Sequence, residues 1–74
     1  MASDEQYLRS IGRRIRELRA ARNWTQEELA RRSGLHRTYI GTLEGGRRNL
    51  AALNLRRLAR AFGVSVSELL QGIG

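Results

Sequence analysis

Between Thr25 and Glu44 the chain carries a helix start, a glycine stop and a second helix start in quick succession, and few folds accommodate that order. Thr25 followed three residues later by Glu28 has the spacing of a capping box, in which each side chain satisfies a backbone N–H at the other position. Trp24 before the cap and Leu29 after it suit a hydrophobic staple over the same end. Leu29 and Ala30 face inward, while Glu27, Glu28, Arg31 and Arg32 remain polar. This predicts a helix from Thr25 to Ser33. Gly34 supplies the left-handed residue that stops a helix at little cost. Tyr39, Ile40 and Leu43 then recur at helical spacing, predicting a second helix from His36 to Glu44.

Two short helices joined by a glycine turn fit the helix-turn-helix unit. In that unit the second helix enters the major groove and its first residues meet base edges. His36, Arg37 and Thr38 hold those places, with Thr42 one turn later on the same side. An arginine there can span the two major-groove acceptors of a guanine. An ordinary helical hairpin with a solvated arginine has the same spacing, and spacing alone leaves the two readings level.

The charge is the strongest compositional signal. All fourteen basic residues are arginine against seven acids, a net charge of +7. Such an excess suits nucleic acid, and equally an anionic membrane or an acidic partner. Arginine favours planar, bidentate contact with phosphate and guanine, although the base composition of a source genome explains the missing lysine equally well. With one histidine, one aspartate and no cysteine, the chain offers no paired catalytic constellation, no disulfide and no cysteine metal site. Enzymatic function and a cofactor are therefore not expected. No apolar run is long enough to span a membrane and the first residues do not resemble a signal peptide, so the cytoplasm is the expected compartment. RNA binding would satisfy the charge, but aromatic platforms for unpaired bases are lacking.

The rest of the chain reads as three more helices, giving an all-α, compact five-helix domain over residues 1–74. Helix 1 is expected from Asp4 or Glu5 to about Arg22, with Leu8, Ile11, Ile15 and Leu18 as its buried stripe and Gly12 permitting close packing. After Gly45 and Gly46, the loop Arg47, Arg48, Asn49 is basic enough to clamp phosphate. Helix 4 is expected from Leu50 or Ala51 to Phe62, capped by Asn49, with Ala52, Leu55, Leu58, Ala59 and Phe62 inward. Ser65 with Glu68 repeats the capping-box spacing for helix 5, and Val64 with Leu69 repeats the staple. Leu53 lies outside the helix 4 stripe, and Leu70 and Ile73 give the tail more apolar surface than it needs. Residues 50–74 are thus the expected dimerisation surface, and so small a core benefits from a partner chain.

TQEELARRSGLHRTYIGTLEGGRRN resembles the helix-turn-helix of phage-repressor-type (Xre-type) DNA-binding proteins, a lambda-repressor-like fold. More narrowly, LHRTYI followed by Glu44 and RRN is similar to the controller proteins of restriction–modification systems, which are small dimeric regulators. The similarity runs from about Ile11 to Leu70. It implies that Arg37 and Thr38 read bases and that Tyr39 meets the backbone or a flexed base step. It also implies that Gln26, Arg48 and Asn49 bind phosphate, and that Arg19 braces Glu44 against helix 1. His36 departs from the pattern, which usually has Asp, Ser or Thr as the cap, so weaker capping is expected there. The implied function is a homodimeric regulator of transcription on near-palindromic double-stranded DNA, activating and repressing, with RNA polymerase a further candidate partner. An antitoxin-like DNA-binding and protein-interaction module is the alternative.

Overall fold

The computed structural model describes residues 4–47 and 50–73, which form five helices and no strand. They are α1 (Asp4–Ala21), α2 (Gln26–Ser33), α3 (Arg37–Glu44), α4 (Ala52–Phe62) and α5 (Val66–Leu69). The expected all-α, five-helix architecture is the one observed. Its core is one cluster of Ile11, Ile15, Leu29, Ile40, Leu43, Leu58, Ala59, Phe62 and Leu69, so every helix contributes to it. Arg48 and Asn49 lie outside the described residues.

Local chemistry accounts for most boundaries. Asp4 and Glu5 sit at the positive end of α1 and Arg19 in its last turn, as the helix dipole favours. The helix stops at Ala21, a residue short of the expected end, where Asn23 takes a positive φ of 59°. Asparagine is among the few side chains that visit this region readily. The Thr25 side chain accepts from the Glu28 backbone N–H at 3.0 Å. Only half of the expected box forms there, because the Glu28 carboxylate bonds Arg31 and Arg32 in its own helix. Gly34 ends α2 with φ 75°, and its N–H reaches the Ala30 carbonyl. At α5 both halves of the box form, between Ser65 and Glu68.

Helix α4 departs from expectation at its start. Its N-cap is Ala51, with no side-chain cap, and Ala52 is exposed instead of inward, while Leu58, Ala59 and Phe62 are buried. Trp24, expected in a staple, stacks on Phe62 with ring centroids 5.8 Å apart, and Arg32 covers it at 4.3 Å from the ring centroid.

The placement of α3 depends on α1. A Cβ built on Gly12 would stand 2.4 Å from the Leu43 carbonyl oxygen and 2.7 Å from that of Glu44. The two helices therefore approach backbone to backbone at Gly12, which only glycine allows. The close packing expected at Gly12 has this cause.

Candidate nucleic-acid interface

Helix α3 is short, and its two faces differ sharply. Ile40 and Leu43 are buried in the core, whereas His36, Arg37 and Thr38 at its start are exposed and Tyr39 and Thr42 are half-buried. Three of the expected base-reading residues, His36, Arg37 and Thr38, therefore share one accessible end, whereas Thr42 lies half-buried a turn further along. His36 is the N-cap, and its Nδ1 accepts from the Thr38 backbone N–H at 3.1 Å. The imidazole thus stands in for the usual Asp, Ser or Thr. Thr42 donates its hydroxyl to the Thr38 and Tyr39 carbonyls at 3.1 and 3.0 Å. Its proton is spent within the helix, leaving its methyl group and oxygen lone pairs for outside contact.

Three side chains from three elements lock this end of the molecule together. Arg19 of α1 donates Nε to Glu44 Oε2 at 2.7 Å and Nη2 to Oε1 at 3.0 Å, and its Nη1 reaches the Trp24 carbonyl at 2.7 Å. Gln26, the first residue of α2, donates Nε2 to the same Glu44 Oε1 at 3.2 Å. The Arg19 and Glu44 side chains are 15% and 4% exposed, so the pair sits out of solvent with its hydrogen bonds filled. The hydrogen bond to Glu44 holds the Arg19 guanidinium above its ordinary pKa despite the opposing effect of burial. Gln26 is oriented by Glu44, and its Oε1 lies toward Gly41.

Beyond α3 the backbone turns through Gly45 and Gly46, and the Arg47 N–H closes the turn on the Thr42 carbonyl at 3.0 Å. Arg47 is exposed beside α3. A shallow depression between α2 and α3 is lined by Arg19, Thr25, Gln26, Glu27 and Arg37. Among the described residues no group of three or more His, Cys, Asp or Glu is placed to hold a metal ion, and no helix is long and apolar enough to cross a membrane.

Two arginines have structural roles that sequence reasoning missed. Arg14 donates to the Glu68 and Leu69 carbonyls at 2.9 and 3.1 Å, tying α5 to α1. Arg22 donates to the Leu18 and Phe62 carbonyls, closing the ends of α1 and α4. Nothing local marks either residue, since the partners stand up to 55 positions away. Among the large apolar side chains, Leu53 is 56% exposed and Val66, not singled out in the sequence, is 37% exposed. Leu70 and Ile73 are half-buried and pack against the chain's own core.

An exposed N-terminal face on a buttressed second helix defines a class, and comparison with known proteins agrees. Residues 15–69 match the helix-turn-helix family model, and the chain belongs to that family of transcription regulators. It is 44% identical over 68 residues to a hypothetical transcription factor of Neisseria meningitidis, covering 90% of this chain and 64% of that protein, less than two thirds of its length. It is 45% identical over 60 residues to the control protein C.SmaI of Serratia marcescens, covering 81% of this chain and 71% of that one. Among solved structures, the restriction-modification controller protein C.AhdI from Aeromonas hydrophila superposes with a TM-score of 0.81 at 45% identity, over 84% of this chain and 94% of that one.

Proposed function

We propose that this chain is a restriction–modification controller: a homodimer that binds a near-palindromic operator and sets transcription by where that operator lies. The observation that carries this reading is the exposed His36–Arg37–Thr38 end of a helix whose other end is fixed by Arg19 and Glu44. A base-reading helix needs accessible donors and a rigid mount, because discrimination depends on holding bidentate geometry. Arg37 and Thr38 read bases, with His36 and Thr42 as weaker contributors. Gln26, Tyr39, Arg47, Arg48 and Asn49 hold phosphate and fix the register.

Leu53, Leu70 and Ile73, joined by Val66, supply the apolar surface for a second copy. RNA polymerase is the partner through which such a complex would activate. The working compartment is the cytoplasm. An antitoxin-like interaction module gains no support from any particular side chain. A hydroxyl-radical footprint on bound operator DNA, combined with sedimentation of the free protein, tests the proposal. Two protected half-sites about 34 Å apart and a dimeric species are expected. A single unpaired footprint from a monomer contradicts it.

A further inference from the structure

Glu27 and Arg37 belong to different helices of the motif yet face each other across the depression between them. Arg37 Nε stands 3.7 Å from Glu27 Oε1, and the two side chains are 61% and 78% exposed. The neighbouring acid is committed elsewhere, since Glu28 bonds Arg31 and Arg32. Glu27 is the acid of α2 that faces the recognition helix. As an ion pair in water it contributes little to folding, and its exposure means that no packing depends on it.

Bound to DNA, the same pair has a different meaning. An arginine on a flexible stem reaches a phosphate as readily as a guanine, and a phosphate contact carries no sequence information. At 3.7 Å the carboxylate is a charge neighbour of Nε and not its hydrogen-bond acceptor. Its attraction draws the Nε side of the guanidinium toward α2 and leaves the paired Nη1 and Nη2 donors for the O6 and N7 of a guanine. The carboxylate also repels any phosphate that Arg37 would otherwise engage. Discrimination improves when wrong contacts are penalised as well as right ones rewarded.

We infer that Glu27 is a positioning residue for specificity: it aims Arg37 at a guanine and disfavours the phosphate-bound alternatives. The inference rests on reading α3 as the base-reading helix. It assigns to a residue of α2 part of the selectivity that the motif alone would give to α3. Glu27 thereby lowers affinity for arbitrary DNA while sharpening the choice among sites.

The test compares wild type, Glu27→Gln, Arg37→Ala, the double variant and the charge control Glu17→Gln by fluorescence anisotropy at fixed salt. Two duplexes are used: a selected site, and that site with the guanine identified by Arg37→Ala replaced by adenine. Glu27→Gln should bind the altered duplex roughly three- to tenfold more tightly and lose discrimination by a similar factor. It should have no such effect in the Arg37→Ala background, and Glu17→Gln should leave the ratio unchanged. Unchanged discrimination in Glu27→Gln, while wild type discriminates normally, overturns this inference and leaves the functional reading standing. An equal loss in Glu17→Gln or in the Arg37→Ala background also overturns it, because the effect would then be general charge. A wild type without preference between duplexes removes both.

Discussion

The Arg19 guanidinium holds both carboxylate oxygens of Glu44, joining α1 to the last residue of α3 across 25 positions of sequence. With Glu44 only 4% exposed, the carboxylate depends on Arg19 for compensation of its charge. Removing one member of a buried pair typically costs about 3–5 kcal/mol, whereas replacing both with apolar residues of similar volume is often neutral. Arg19→Ala should therefore unfold a large fraction of so small a domain. Arg19→Met with Glu44→Met should regain part of the stability, the remainder staying lost because the Trp24 carbonyl and the Gln26 amide lose their partners. Urea denaturation followed by Trp24 fluorescence would measure both, and equal losses in the single and double variants would refute the account of the brace.

The contact at Gly12 predicts a result opposite to helix propensity. Gly→Ala inside a helix ordinarily stabilises by about 1 kcal/mol. Here the new methyl would meet the Leu43 and Glu44 carbonyl oxygens, which are backbone and cannot swing aside. Gly12→Ala should destabilise by about 1–3 kcal/mol and weaken DNA binding more than its stability loss explains, because the end of α3 must shift. Thermal unfolding and binding assays on the same sample would separate the two effects.

Base reading and phosphate holding should separate by mutation. Arg37→Ala is expected to cost about 1–3 kcal/mol on the cognate site and to relax preference at one base pair. Arg47→Ala and Arg48→Ala should weaken all sequences alike and reduce the salt slope by about one. Binding titrations across ionic strengths on cognate and scrambled duplexes would reveal the split, and matching profiles for Arg37 and Arg47 would deny it.

The capping box at α5 carries a pH dependence. The Ser65 backbone N–H and then its hydroxyl hold the Glu68 carboxyl below its ordinary pKa of 4.5. A carboxylate depressed in the folded state contributes stability that is present above the unfolded value and is lost as pH falls through the folded one. Glu68→Gln should accordingly show a smaller loss of stability than wild type on acidification below about pH 4.5. Parallel acid limbs in the two proteins would contradict this.

How much of this was legible in the sequence depends on the range of the interaction concerned. The Thr25, Gly34 and Ser65–Glu68 signals are local, because each partner lies within a turn of its mate, and they placed the helices to within a few residues. The Arg19–Glu44 pairing came only from a family resemblance, since no spacing rule links an arginine in one helix to a glutamate two helices later. Arg14 and Arg22 cap carbonyls of elements far along the chain, and in sequence they resemble the solvated arginines around them. The inward reading of Ala52 failed because a periodic stripe gives direction and not depth. The Thr25–Glu28 spacing predicts a reciprocal box, but two arginines in the same helix compete for the Glu28 carboxylate.

In the proposed function the exposed end of α3 reads base pairs in two symmetric copies. Selection of bound duplexes from a random DNA pool by the purified protein, followed by sequencing, tests it most directly. The expected result is a two-fold symmetric motif with a guanine at matching places in each half, lost from both halves in Arg37→Ala. A pool that returns no motif while binding persists at low salt would contradict it, leaving a basic domain that holds phosphate without reading sequence.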